Sequence, residues 1–205
     1  MSYGAYNIQT IRIYMDTMIV NFFGGPGAAK STMAADVFAQ LKWKGINCEL
    51  VTEYAKSKVW EGSKLSEQGW QVDAPTLDNQ LYVFGKQHNS IFRLIGKVEV
   101  IITDSPIILS TIYDKHNDEI LRQLVLNEFS KFDNLNFFIN RFKDYNPMGR
   151  MQTLDEAIRI DDKIKNFLTS NSIDFEYVNG TPEGAKIAAM MVLECFNDDK
   201  LIESL

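Results

Sequence analysis

The chain has 205 residues, of which 45% are hydrophobic and 23% are charged, and its formal net charge is -6. This composition is ordinary for a globular protein, and the length suits one domain with a sizeable core. The negative net charge argues against an indiscriminate grip on a nucleic-acid backbone, which needs a basic surface, but it leaves room for a local basic groove.

The expected compartment follows from features that the sequence lacks. No apolar run approaches the roughly 18 residues of a membrane helix, and residues 1–17 have no basic segment followed by an apolar core. Cys48 and Cys195 lie far apart and form no C-x-x-C pair, which is typical of buried thiols in a reducing compartment. We therefore expect a cytoplasmic protein that makes no contact with membranes.

The chain begins with a polar leader, residues 1–17, which is either an extra edge strand or a loosely held tail, and we favour the tail. The compact domain is expected to span residues 18–205. It opens with the apolar run MIVNFF, which has no period of two and is therefore typical of a strand buried on both faces. A glycine-rich turn follows, and then a helical pattern, KSTMAADVFAQLKWKG, which ends at Gly45.

The rest of the chain alternates between short apolar strands and amphipathic helices. Four further strands are predicted in INCELVTEY, VEVIITDSP, NLNFFINR and DFEYVNG. Helices are predicted in TLDNQLYVFGKQHNSIFRLIG, ILSTIYDKHNDEILRQLVLNEFSKF (with a break near Asn117), TLDEAIRIDDKIKNFLTSN and TPEGAKIAAMMVLECF. Strands separated by helices predict an α/β fold in three layers, with a five-stranded parallel sheet and helices on both faces.

The glycine-rich turn nearly matches a phosphate-binding loop. GGPGAAKST follows the pattern G-x-x-x-x-G-K-[ST] except at Ala29, and it lies between a strand and a helix, as that mechanism requires. In such a loop the backbone N–H groups and the helix N-terminus bind the phosphates of a nucleotide, here ATP. Lys30 is expected to reach the β- and γ-phosphates, and Ser31 to bind Mg²⁺. The residues predicted to contact the nucleotide are Gly24, Gly25, Gly27, Ala28, Ala29, Lys30, Ser31 and Thr32.

Ala29 raises the question of whether this loop works. Glycine is required where φ is positive, and we expect Gly27 to be that position inside the loop, with Gly24 opening the turn. Position 29 is expected to enter the helix, where alanine is comfortable. The predicted consequence is a functional loop in which only crowding of the phosphates by the Ala29 methyl group weakens binding.

Two acids follow predicted strands, and ligands of open α/β sheets lie at the carboxyl ends of the strands. Asp104 ends VEVIITDSP, and it is expected to hold Mg²⁺ through water or to accept the proton of the acceptor hydroxyl. Glu53 ends CELVTEY, and it is expected to be the general base or to bind a sugar hydroxyl. The alternative for both is an acid that only caps a helix or faces solvent in a loop.

A candidate lid follows the fourth strand, in NRFKDYNPMGRMQT. It contains Arg141, Lys143 and Arg150, and a mobile loop that carries arginines could close over transferring phosphates. Arg150 is the stronger candidate because Gly149 precedes it, and Arg141 at the strand end comes next. The alternative is an ordinary solvated connection.

The acceptor is expected to be bound between residues 54 and 87, next to Glu53. Gln80, Phe84 and Gln87 have the spacing i, i+4 and i+7 and therefore share one helix face, and an amide beside an aromatic ring suits a flat acceptor. Tyr54 completes the predicted contacts. The alternative, which we weigh equally, is that Phe84 belongs to the core and the glutamines to the surface.

Between about residues 18 and 180, the chain resembles a family of small phosphate-loop (P-loop) kinase-like proteins, often called AAA-type ATPases in phage genomes. The resemblance rests on FFGGPGAAKST, VTEYAK, LDNQLYVFGKQ, VIITDSP and NRFKDYNPMGR. The family is similar to the ribosylnicotinamide kinase domain of NAD-salvage enzymes and to deoxynucleoside kinases. It implies a P-loop kinase fold, with ATP and Mg²⁺ as donor and a nucleoside-like hydroxyl as acceptor. By position, the roles carry over to Lys30, Ser31, Glu53, Asp104 and Arg150.

Ala29 departs from the glycine that is usual in this family, which puts the affinity for the donor in question. Phage relatives include kinases that phosphorylate hydroxymethylated pyrimidines within DNA. Nucleic acid is therefore an alternative acceptor, and a phage-encoded protein would act in the host cytoplasm.

Together these features predict an ATP-dependent kinase that transfers the γ-phosphoryl group to a hydroxyl of a nucleoside-like or nucleotide acceptor. Its predicted catalytic residues are Lys30, Glu53, Asp104, Arg150 and Arg141. Two alternatives stay open: a 5-hydroxymethyluridine DNA kinase, and a nucleotide-binding switch or ATPase with no small-molecule acceptor. The sequence leaves the oligomeric state open, a homodimer included.

Overall fold

The computed structural model describes residues 17–56, 64–66, 69–71, 79–142 and 153–203. The leader lies almost entirely outside the described residues, so its assignment as a tail or an edge strand stays a prediction. So do the boundaries predicted for the domain, 18–205.

The described strands form one parallel sheet and one small hairpin. In chain order they are β1 (Met18–Phe23), β2 (Cys48–Val51), β3 (Lys64–Ser66), β4 (Gly69–Gln71), β5 (Val100–Thr103), β6 (Asp133–Asn140) and β7 (Glu176–Asn179). The five-stranded sheet has the order β2-β5-β1-β6-β7, and every pair in it is parallel. This confirms the predicted sheet, while the antiparallel hairpin of β3 and β4 has no counterpart in the sequence-based prediction.

Helices cover both faces of the sheet, as predicted. They are α1 (Lys30–Trp43), α2 (Gln80–Phe92), α3 (Leu109–Tyr113), α4 (Glu119–Phe129), α5 (Leu154–Ser170) and α6 (Pro182–Glu203). The expected break near Asn117 separates α3 from α4, and Asn117 itself has a φ of 50°. Thr153 caps α5 in a capping box with Glu156, as the spacing of the two residues predicts.

Two apolar clusters, one on each face, hold the layers together. The first joins α1 and α6 to one face of β1 through Phe22, which stacks on Phe137 with ring centroids 5.5 Å apart. The second joins α2, α4 and α5 to the other face through Phe23. Because both faces of β1 are covered, all six of its residues are buried, and five of the six are apolar.

The order of the strands places the carboxyl ends of β2, β5 and β1 side by side. The loops that follow these three strands carry Glu53, Asp104 and the glycine-rich turn, so the sheet brings the predicted site together. Neither Cys48, which is buried, nor Cys195, which is half-buried, forms a disulfide. None of the helices in the described part of the chain is both long and apolar enough to cross a membrane.

Candidate functional site

The phosphate loop, residues 24–31, turns directly from β1 into α1. The Lys30 ammonium lies against the first part of this loop and donates hydrogen bonds to the carbonyl oxygens of Gly24, at 2.7 Å, and Gly25, at 3.2 Å. Gly27 has the expected positive φ, 80°. Ser31 is exposed at the first turn of α1, where its hydroxyl is accessible.

The backbone at Ala29 differs from the prediction. Ala29 has φ 74° and ψ 18°, a left-handed conformation, so this residue precedes the helix as its N-cap instead of entering it. The expectation that position 29 enters the helix, where alanine is comfortable, is therefore wrong. A left-handed residue with a Cβ costs about 1–2 kcal/mol. The methyl group itself packs against the apolar cluster around α1 and α6.

Replacing Ala29 by glycine is expected to stabilise the fold by about 0.5–1 kcal/mol. The strain at φ 74° is relieved, and the greater freedom of glycine in the unfolded chain offsets part of that gain. For a chain of this size the gain corresponds to a rise in melting temperature of about 2 °C. Thermal unfolding measures it, with Ala28→Gly as the control, because Ala28 is buried, has no positive φ and should lose stability.

Four charged side chains act on Lys30. Burial lowers the pKa of Lys30, and the nearby charges of Glu53, Asp104 and Asp161 oppose that shift, while Arg141 adds to it. Lys30 therefore interacts with three carboxylates, two of which are the predicted pair at the strand ends, and with one further cation, Arg141. Phosphates and a divalent cation are the ligands that such a mixture of charges can bind.

The two predicted acids differ in their surroundings. Asp104 is 3% exposed, and its Oδ1 atom has no hydrogen-bond partner among the described residues. A buried carboxylate oxygen left in this way is costly unless a cation binds it. Burial, and secondly the charge of Asp104, raise the pKa of Glu53, while Lys30 and Lys56 oppose that rise.

ATP with Mg²⁺ fits these residues. Mg²⁺ is commonly bound through one or two carboxylates together with phosphate oxygens, and Asp104 offers an oxygen atom that nothing else in the described structure satisfies. Ser31 adds a hydroxyl, and Lys30 and the N-terminus of the 14-residue helix α1 add positive charge for phosphates.

Gln87 is not at the surface, where the second interpretation of the sequence placed it, and its predicted role in binding the acceptor stays a prediction. Gln87 is 2% exposed, its Oε1 accepts from the backbone N–H of Tyr54 at 3.0 Å, and its Nε2 contacts the Thr103 hydroxyl oxygen at 3.4 Å. Gln87 therefore joins the residue after Glu53 to the residue before Asp104. Its amide thus links the loop after β2 to the last residue of β5, next to the two acids in sequence.

The other predicted acceptor residues differ in their surroundings. Phe84 is buried in the cluster on the α2 face of the sheet, which agrees with the second of the two interpretations of the sequence. Gln80 is half-buried and lines a cavity of about 430 Å³ together with Asp114 and His116. Tyr54 meets Tyr82, with their hydroxyl oxygens 2.8 Å apart.

Replacing Gln87 by methionine is expected to destabilise the fold by about 1–3 kcal/mol, because the Tyr54 N–H loses its acceptor in a part-buried position. The melting temperature should fall by at least about 2 °C. The matched control is Asn89→Met on the exposed side of the same helix, which should change it by much less. Equal effects of the two substitutions would contradict a bridging role for Gln87.

Two site residues were missed at the sequence level. Asp161 is 7% exposed and occupies the apolar stripe of α5 together with Ala157, Ile164 and Leu168, so an acid at a core position was a signal that could have found it. Burial raises the pKa of Tyr113 at the end of α3, and the charges of Glu53 and Asp161 raise it further. The sequence around Tyr113 gives no comparable signal.

The predicted lid is described only at its first end. Arg141 follows β6 directly, pairs with Asp161 and donates a hydrogen bond to the carbonyl oxygen of Pro26 in the phosphate loop. Lys143 and Arg150 lie outside the described residues. The roles predicted for Arg141 and Arg150 in neutralising a transferring phosphoryl group stay predictions.

Comparisons with known proteins concern the family and the fold of this chain. A family model described as an AAA domain matches residues 19–184. No curated protein matches the chain. The solved structure of the NadR protein in complex with NR is 15% identical, with a TM-score of 0.58, and the alignment covers 82% of this chain and 47% of that one. The chain thus spans about half the length of that protein.

A second similar structure is the thymidylate kinase from Ehrlichia chaffeensis. It is 13% identical, with a TM-score of 0.53, over 88% of this chain and 98% of that one. At these identities the likeness concerns the fold. The predicted P-loop kinase fold and the resemblance to small P-loop kinase-like proteins are therefore confirmed.

Proposed function

The chain belongs to the AAA domain family, and we propose that it is an ATP-dependent kinase that phosphorylates a hydroxyl of a nucleoside-like or nucleotide acceptor. One observation carries the proposal: two acids, Glu53 and Asp104, lie beside Lys30 at the ends of neighbouring strands. A loop that only binds nucleotide needs one acid for a metal ion. A second acid whose pKa is raised suits a base that takes a proton from an acceptor hydroxyl.

Each side chain has a distinct role in this proposal. ATP with Mg²⁺ supplies the phosphoryl group. Lys30 binds and neutralises its phosphates, and Ser31 and Asp104 hold the metal ion. Glu53 orients the acceptor hydroxyl and receives its proton, with Tyr54 and Gln80 on the acceptor side. The likeness to a thymidylate kinase and to the NadR protein supports an acceptor with a nucleoside-like ring and sugar.

Transfer of label from γ-labelled ATP tests the proposal. The acceptors in the screen are nucleosides, nucleotides, nicotinamide riboside and DNA that carries hydroxymethylated bases. A kinase should turn over ATP slowly alone and much faster with one acceptor, and the label should appear in that acceptor.

The two alternatives give different outcomes in the same screen. Label that enters only the modified DNA would identify a DNA kinase, for which the net charge of -6 requires a local basic groove. Tight binding of ATP with slow hydrolysis that no acceptor accelerates would identify a switch or ATPase, and would overturn the proposal.

A further inference from the structure

Two side chains attach the first half of the phosphate loop to the rest of the fold. The carboxylate of Asp161 accepts a hydrogen bond from the backbone N–H of Gly25, with 2.5 Å between Oδ1 and N, and a second from Nε of Arg141, also at 2.5 Å. Arg141 donates in turn to the carbonyl oxygen of Pro26 at 2.8 Å and to that of Ala157 at 3.3 Å. The loop thus receives one contact on an N–H group and one on a carbonyl group from the same ion pair.

This attachment is close and largely shielded from water. The side chains of Arg141 and Asp161 are 17% and 10% exposed. A Cβ at Gly25 would lie 2.7 Å from the Ala157 carbonyl oxygen and 3.0 Å from Nη2 of Arg141, so glycine is required for this approach. Charge-assisted hydrogen bonds in such surroundings are stronger than those between neutral groups in water.

The other half of the same loop is strained, since Ala29 is held at a φ of 74°. A residue in such a conformation persists only where its surroundings over-determine it. Lys30 donates to the carbonyl oxygens of Gly24 and Gly25. Asp161 accepts from the Gly25 N–H, and Arg141 donates to the Pro26 carbonyl oxygen.

We infer that Asp161 and Arg141 are positioning residues which form a brace, and that this brace holds the loop in its nucleotide-binding conformation because Ala29 cannot adopt that conformation without strain. Both residues contact the loop through its backbone, at the Gly25 N–H and at the Pro26 carbonyl oxygen. The part of the inference that concerns ATP rests on the proposed function, whereas the part that concerns the loop does not.

Because the two residues carry opposite charges, replacing Arg141 and replacing Asp161 should affect nucleotide binding to different extents. Asp161 is one of the carboxylates whose charge reaches Lys30, so without Arg141 an uncompensated negative charge would lie beside the phosphates. Removing Arg141 should therefore harm nucleotide binding more than Asp161→Asn does, because asparagine keeps an acceptor for the Gly25 N–H and carries no charge.

The experiment measures two quantities in Asp161→Asn, Arg141→Gln and the double variant, each with alanine or glycine at position 29. Hydrogen exchange of the loop amides in the ligand-free protein reports the brace itself, and calorimetric titration with ATP and Mg²⁺ reports affinity. Asp162→Asn is the matched control, because it removes the adjacent acid of α5, whose ion pair with Lys165 is largely exposed. The uncharged double variant covers the case in which Arg141→Gln alone does not fold.

With alanine at position 29, we expect Arg141→Gln to accelerate exchange of the loop amides and to weaken ATP binding by about tenfold or more, the size of one charge-assisted contact. Asp161→Asn should weaken ATP binding by less than Arg141→Gln, and Asp162→Asn should leave ATP binding unchanged. With glycine at position 29 every loss should shrink to about threefold or less, because the relaxed loop depends less on the brace.

Losses of the same size in both backgrounds, or unchanged exchange of the loop amides, would overturn the inference. It would also be overturned if Arg141→Gln slowed phosphoryl transfer and left ATP affinity and exchange unchanged, since Arg141 would then act on the transferring group. Absence of ATP binding by the native protein would instead contradict the proposed function, and the exchange measurements would still decide on the brace.

Discussion

Replacing Lys30 by methionine is expected to lower phosphoryl transfer by about a thousandfold. Methionine is similar in length to lysine and resembles its aliphatic part. It lacks the ammonium group, which interacts with Glu53 and Asp104 and donates hydrogen bonds to the Gly24 and Gly25 carbonyl oxygens. Phosphoryl transfer depends almost entirely on positioning and charge stabilisation, and single donors or cations in such sites contribute factors of about 10² to 10⁵. The measurement is the steady-state rate with γ-labelled ATP and the acceptor found in the screen.

The same variant should remain folded. Burial lowers the pKa of Lys30, so keeping its ammonium group charged costs free energy in the folded state. The substitution removes this cost, and it also removes the attraction to three carboxylates, so the two effects oppose each other. We therefore expect little change in the melting temperature. Lys44→Met, at the exposed end of α1, is the control and should retain full activity. Normal rates of phosphoryl transfer by the Lys30→Met protein would contradict a role of the phosphate loop in the reaction.

Local patterns were sufficient to predict most of the fold. The apolar runs, the glycine-rich turn and the capping box at Thr153 each depend on a few adjacent residues, and those residues adopt the expected structures. The approach of Glu53 and Asp104 was also predictable, because acids that follow parallel strands of one sheet share an edge. Their electrostatic contact with Lys30 follows from the order β2-β5-β1.

Features that depend on distant residues were not predictable in the same way. Gln87 lies 33 positions from Tyr54, and Asp161 lies 136 positions from Gly25, so no local pattern pairs them. The prediction for Ala29 was wrong for a different reason. It relied on the preference of alanine for helices, whereas Ala29 lies in the turn before the helix and has a left-handed backbone conformation.

These long-range contacts have the same physical effect, which is to oppose the repulsion among the acids around Lys30. Lys30 is surrounded by acids whose mutual repulsion would separate the strand ends and the loop if nothing else held them. Gln87 fixes Tyr54 against Thr103, and Arg141 fixes Asp161 against the loop, so both bonds act against that repulsion. The site therefore keeps its charges close together through contacts between residues that are distant in the sequence.

The roles of Glu53 and Asp104 can be separated by two isosteric substitutions. Glu53→Gln removes a proton acceptor, and general bases typically contribute about 10²–10⁴ to the rate, so kcat should fall by about a hundredfold or more with ATP affinity nearly unchanged. Asp104→Asn removes the charge at the buried oxygen that has no partner in the described structure. It should mainly raise the Mg²⁺ concentration needed for activity.

The dependence of kcat/KM on pH distinguishes the base independently of these rates. A carboxylate acts as a base only when it is ionised, and burial raises the pKa of Glu53 above its ordinary 4.5. On acidification, activity should therefore begin to fall at a higher pH than it would if the base were an exposed glutamate. Lys30 must stay protonated, and its lowered pKa places the alkaline limit below the ordinary 10.5. Glu53→Gln should lose the acidic limb and keep the alkaline one. If Asp104→Asn loses the acidic limb instead, Asp104 is the base, and Glu53 binds the acceptor without taking its proton.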